Sequence, residues 1–403
     1  MFRKTSFLAA AVAGVLLQAA PANAGNLEDC LSASFYPDDG ELLIDCNLAL
    51  LNPYTTAKDR AKVQLQIGQA LYFMQSPGMA IGHLDEAIEL DPSLDQAYRR
   101  RGWATLFTGF YEQAFDDFTE FLARRPDDPD ASFAMAFARH QVGASCDETR
   151  IAYESILSRF HSHHITRNAL ASVYQCIDGN SSREIAEYDK IIAAGRAEVA
   201  PIMYYGRNGD GGYDFFANVR ASRADALRSE RRYSEAMSDA EWLISQYPGS
   251  ARGYVIRATV HDGLHDSIRA LEDSEQALAI APYHHSARFH KLWALLHLKR
   301  YEDAVSYASW LVAKNPDPSY AYDYYYVRGL AQYRLGRGEE ALHDILTAAA
   351  ADEFSNRRIT TQMRQSGYLE VAPNALGKPF DVTSKAFHNA LEACMIDPEC
   401  IRI

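Results

Sequence analysis

Past its first 24 residues, the 403-residue chain has no apolar run approaching the ~18 residues of a membrane-spanning helix. It has no Gly-x-Ser-x-Gly elbow, no phosphate-cradling Gly-rich loop, no dinucleotide fingerprint and no His-Glu-x-x-His. No catalytic residue, cofactor or metal is expected on that ground. Positive charge is in deficit, with 40 Lys and Arg against 53 Asp and Glu and a net charge of −13. An acidic surface repels phosphates, which argues against nucleic acid and anionic membrane surfaces as partners. Cysteine is sparse, with six residues and no Cys-x-x-Cys pair. A zinc knuckle is therefore not expected.

What is present begins with a targeting signature. Arg3 and Lys4 precede an uncharged apolar stretch from Phe7 to Ala20, and Ala22-Asn23-Ala24 places small residues where a signal peptidase reads. Residues 1–24 read as a secretory signal peptide, and the mature protein as exported, with a periplasmic location expected. The cysteines agree with an oxidising compartment. They fall into three sequence-local pairs, Cys30 with Cys46, Cys146 with Cys176, and Cys394 with Cys400. Locality is the only warrant for these pairings among the ~15 that six cysteines allow.

The chain repeats every 34 residues. Gly68, Ala80, Ala87 and Pro92 recur as Gly102, Ala114, Phe121 and Pro126. The frame returns at Ala224, Ala236, Leu243 and Pro248, at Ala258, Ala270, Ala277 and Pro282, and at Leu292, Ala304, Leu311 and Pro316. After a three-residue slip come Gly329, Ala341 and Ala348. Small residues at the eighth and twentieth positions let two helices approach closely, and a proline at the thirty-second stops the second helix.

This pattern resembles the tetratricopeptide repeat family, in repeats 61–94, 95–128, 217–250, 251–284, 285–318 and 322–355. Segment 129–162 keeps the frame less well, with Ala136 and Glu148 at the two small positions. Segment 163–196 has the length without the signature. The resemblance implies an all-α solenoid of helix-turn-helix units forming a right-handed superhelix. The expected organisation is a degenerate cap over 25–60, a first array over 61–196, a Gly-rich hinge over 197–216, a second array over 217–355 and a helical cap over 356–403.

The resemblance also implies a groove lined by positions 2, 5, 9 and 12 of each first helix. These positions bring Gln69 and Tyr72, then Gln96, Arg99 and Trp103, then Phe289 and Trp293, and last Tyr326 and Tyr333 into the candidate partner-binding set. Aromatic rings beside an Arg suit a peptide, because rings supply contact area at low entropy cost and Arg forks onto carboxylates. The implied role is a scaffold for envelope proteins or peptides.

Other features read as structural. His161, His163 and His164, then His284, His285 and His290, then His261 and His265 cluster without a metal-ligand pattern. Asn208, Asp210 and Asp214 do not match a calcium loop, so 206–213 reads as a solvated hinge. Acidic pairs such as Asp116-Asp117 and Asp127-Asp128 are expected on solvent faces with ordinary pKa values. The C-terminal segment, with Gly367-Tyr368 before a Phe387-led helix, resembles a small peptidoglycan-binding module over about 45 residues. It departs from that module at Lys378-Pro379-Phe380-Asp381, where an Asp-Gly turn would stand. A solenoid cap and weak peptidoglycan contact are the two readings of that segment.

Overall fold

The computed structural model describes residues 25–32, 40–179, 181–199, 214–314, 318–351, 353–369 and 384–396. The signal-peptide segment, most of the expected hinge and Cys400 lie outside the described residues. All regular structure among the described residues is α-helix. The chain divides into two compact units, one up to residue 180 and one from residue 181.

The first unit opens with helices Gly25–Ser32 and Gly40–Leu51. Cys30 and Cys46 bridge them with both residues fully buried and Cα atoms 4.9 Å apart. Hairpins follow, with first (A) and second (B) helices Ala57–Phe73 and Pro77–Leu90, Asp95–Thr108 and Tyr111–Arg124, and Pro129–Gln141 and Cys146–Arg159. Helix His164–Asp178 closes the unit, tied by the Cys146–Cys176 disulfide to the helix before it.

The second unit begins with Ser181–Ala194 and the short Arg196–Val199. Its hairpins pair Phe215–Ser229 with Tyr233–Gln246, Ala251–Gly263 with Ser267–Ile280, His285–His297 with Tyr301–Lys314, and Pro318–Arg334 with Gly338–Ala351. Helices Glu353–Gln365 and Lys385–Ile396 end it. Phe387, Leu391 and Cys394 of the last helix are fully buried in one core with Ile359, Met363, Val327 and Ile345. These two helices thus share one hydrophobic core with the last repeats.

The repeat frame explains the packing. Ala80, Ala114, Ala236, Ala270, Ala304 and Ala341 are each fully buried at the twentieth position. At the eighth, a Cβ on Gly68 would stand 2.6 Å from Leu84 Cγ, and one on Gly329 would stand 2.8 Å from Ile345 Cγ1. Those contacts are too close for real atoms, so larger residues would force the hairpins apart. Each regular hairpin also turns through one left-handed residue at position 15. Gly109 and Gly336 hold it with φ of 86° and 78°, whereas Gln75, Arg231, His265 and Lys299 hold it with φ near 60°. The following amide donates back to a carbonyl five residues earlier, as from Arg300 to Leu295 at 2.9 Å. That bond satisfies a helix-end acceptor.

Segment 129–162 departs from its expected register. Glu148 is exposed and forms a capping box with Ser145, and Thr149 is the buried residue instead. The turn between Gln141 and Cys146 is longer, so its B helix begins one position later in the frame.

The expected solvent placement of Asp117 is also overturned. Asp117 is 2% exposed and receives the Arg101 guanidinium, with Nε 3.0 Å from Oδ2 and a terminal nitrogen 2.7 Å from Oδ1. Burial pushes its carboxyl above the usual range, while the Arg101 hydrogen bonds and charge pull it back. The same Arg-to-Asp step from position 7 to position 23 joins Arg223 to Asp239, Arg257 to Asp273 and Arg328 to Asp344. Arg101 further reaches Asp85 in the preceding unit at 2.6 Å. Two helices of one hairpin and the B helix before them are thereby clipped by one side chain.

Candidate partner-binding surface

Positions 12 and 13 of an A helix lie near position 9, because they follow it by three and four residues. In the first unit, helices Ala57–Phe73 and Asp95–Thr108 bring Tyr72, Phe73 and Phe107 together. Tyr72 meets Phe73 and Phe107 edge-on, with ring centroids 5.7 Å apart in both cases. Phe73 and Phe107 are 39% and 44% exposed, and the Arg100 guanidinium lies over the Phe73 ring at 5.6 Å. Gln69 is half-buried one turn before Phe73, and Gln96 is exposed.

Arg99 and Trp103 stand elsewhere in the chemistry. Arg99 Nε donates to Asp128 Oδ2 at 3.0 Å, and its terminal nitrogen lies 3.6 Å from Asp130. Asp128 also caps helix Pro129–Gln141, accepting from the Ala131 amide at 2.8 Å. Arg99 is thus engaged at the N-terminus of the next A helix and is not poised for a partner's carboxylate. Trp103 is half-buried and packs edge-on against Phe118, 5.4 Å between centroids.

In the second unit the aromatic residues form a ladder along successive A helices. Phe289 lies 6.0 Å from Trp293, Trp293 lies 6.2 Å from Tyr326, and Tyr326 stacks on Tyr322 at 5.2 Å. Tyr326 is 2% exposed, and its hydroxyl donates to Gln362 Oε1 at 2.8 Å. The helix Glu353–Gln365 therefore covers Tyr326, which sits in the core and does not line an open groove. Tyr322 and Tyr324 are likewise buried. Phe289, Trp293 and Tyr333 are half-buried.

The histidines tie helices together. His163 Nε2 donates to Asp130 Oδ1 at 3.1 Å, and its Nδ1 lies 2.7 Å from Thr166 Oγ1. The hydrogen bond from His163 is the main reason the Asp130 carboxyl sits below its ordinary range, with the charges of His163 and Arg99 adding to it. His290 bridges to Asp262 and Thr259 in the same manner. Among the described residues, no group of three His, Cys, Asp or Glu side chains is placed to hold a metal ion.

A sequence profile described as tetratricopeptide repeat matches residues 293–356. The chain carries tetratricopeptide repeats. Solved structures similar to it include a tetratricopeptide repeat protein from Parabacteroides merdae, at 12% identity over 64% of this chain and 93% of that one, with a TM-score of 0.49. Another is pilF of Pseudomonas aeruginosa, at 15% identity over 58% of this chain and 96% of that one, with a TM-score of 0.44. A third is the C-terminal part of a repeat-containing protein from Cytophaga hutchinsonii, at 14% identity over 63% and 96% of the two chains and a TM-score of 0.46. No curated protein matches the sequence.

A tetratricopeptide repeat fold suggests a protein-interaction scaffold. No helix among the described residues is long and apolar enough to cross a membrane. Phe73 and Phe107 occupy position 13 of adjacent units, one residue past the last position taken as groove-lining. Their signal was visible as two phenylalanines 34 residues apart.

Proposed function

We propose that this tetratricopeptide protein is an exported scaffold of the cell envelope, working in the periplasm. It holds an extended peptide or a helix of an envelope protein against the A-helix face of its first unit. The observation that carries this reading is the aromatic cluster Tyr72, Phe73 and Phe107, contributed by two consecutive repeats and partly exposed. Clustered exposed aromatics are uncommon on a surface without a partner, and rings are favoured anchors of interfaces. The Cys30–Cys46 and Cys146–Cys176 disulfides support an oxidising compartment.

The test is crosslinking in cells followed by mass spectrometry, comparing wild type with Phe73→Ala/Phe107→Ala. The expected result is an envelope protein captured by wild type and lost from the double variant, with helicity unchanged. Equal capture by both proteins would move the site away from this face. Arg99→Glu is unsuitable for this purpose, because it would break the contact with Asp128 as well.

A further inference from the structure

The terminal unit of a solenoid needs a polar outer face, because no further repeat covers it. The first unit departs from that rule at helix Gly40–Leu51. Leu42, Cys46 and Ala49 of this helix are buried and share one core with Val63 and Ile67. Ile44, Leu48 and Leu51 follow those three residues by two positions each, which is about 200° around the helix. They form a second apolar stripe on the opposite face and are 58%, 44% and 67% exposed. Tyr54, in the turn after the helix, is 90% exposed. A helix apolar on two opposite faces belongs between two layers, and the described residues of this chain supply one.

The charges around the outer stripe point to its second layer. Glu41 stands at the start of the helix and is exposed. Lys58 stands beyond its end, in the first turn of Ala57–Phe73, and is exposed too. Neither makes a hydrogen bond or a salt bridge among the described residues. The neighbouring acids are taken by other groups. Asp45 accepts from Asn26 at 3.0 Å, Asp59 from Lys62 at 3.2 Å, and Asp91 from the Ser93 hydroxyl at 2.6 Å.

The stripe is therefore acidic at one end and basic at the other. A two-fold rotation carries its acidic end onto the basic end of an identical stripe, so the face is complementary to itself. An anionic membrane would instead meet Glu41 and a chain of net charge −13.

We propose that the outer face of helix Gly40–Leu51 docks on the same face of a second copy of this chain. The two helices run antiparallel about a two-fold axis, with Ile44, Leu48 and Leu51 of each copy packed against their counterparts. Tyr54 covers the ends of that apolar strip. Glu41 of each copy then meets Lys58 of the other. This surface is separate from the Phe73 and Phe107 cluster, so either reading can fail without the other.

The experiment is analytical ultracentrifugation of the full mature chain over a range of concentrations. Wild type is expected to dimerise in the micromolar range. Leu48→Glu is expected to weaken the dimer at least about tenfold, by placing like charges at the centre of the interface. Glu41→Lys and Lys58→Glu are each expected to weaken it about fivefold, and their combination to restore it. Phe73→Ala/Phe107→Ala leaves the dimer unchanged. The substituted positions are exposed, and thermal melting followed by circular dichroism verifies that each variant remains folded. A monomeric wild type, a dimer indifferent to Leu48→Glu, or a double charge reversal that fails to restore association would overturn the proposal.

Discussion

Arg328 lays its guanidinium across Asp344, with Nε 2.6 Å from Oδ2 and a terminal nitrogen 2.7 Å from Oδ1. The two residues are sixteen apart and sit on the A and B helices of one hairpin. Asp344 is almost fully buried at 2% exposure, while Arg328 keeps 16%. Taking a carboxylate out of water is unfavourable, and the fork offsets that only while both partners remain.

Arg328→Met should therefore destabilise the second unit by about 3 kcal/mol, since it leaves a buried charge without its counter-ion. Arg328→Met with Asp344→Leu should recover most of the loss, to within about 1 kcal/mol of wild type. Urea unfolding of the two variants separates these outcomes. Equal losses would mean that the pair contributes through packing and not through charge.

Lys299 adopts a left-handed backbone with φ of 60° at the turn where Gly336 stands in a later unit. A side chain in that conformation costs about 1 kcal/mol relative to glycine. Lys299→Gly should raise the melting temperature, and Gly336→Ala should lower it. A fall for Lys299→Gly would mean that the Lys299 side chain makes a compensating contact.

Asp130 holds a carboxyl depressed below its ordinary value, chiefly by the hydrogen bond from His163. A depressed carboxyl stabilises the fold above its unfolded pKa, and that contribution fades as pH falls through the folded value. Wild type should exceed Asp130→Asn in melting temperature near neutral pH. The difference should shrink between about pH 5 and pH 2. A constant difference across that window would remove Asp130 as the titrating group.

Much of the fold was legible because its determinants are short-range and periodic. The twentieth position is Ala in all six repeats and the eighth is Gly or Ala in all but 285–318, where Leu292 stands, and that constraint appears directly as Gly68 with Ala80 or Gly329 with Ala341. The Arg-to-Asp clips are equally regular in spacing, but spacing alone does not distinguish a buried acid from an exposed one. Asp117 looks like any surface acid until the helix carrying Arg101 is laid against it. Register was less legible in 129–162, where the longer turn moves the buried role from Glu148 to Thr149.

The partner-binding surface was harder to read than the fold. A groove position tells which way a side chain leaves its helix, not what it meets. Arg99 meets Asp128, the N-cap of the next A helix, and Tyr326 meets Gln362 of a helix beyond the repeats. Both partners come from outside the hairpin that carries the residue. Phe73 and Phe107 lie one residue beyond the family's groove positions.

The scaffold reading is tested most directly by a photo-reactive amino acid placed at Phe107 in living cells, with the same group at Ile151 as an exposed control on a B helix. The account predicts discrete envelope-protein adducts from position 107 that vanish when Phe73→Ala is added, and none of those adducts from position 151. No adduct from position 107, or the same adducts from both positions, would contradict it.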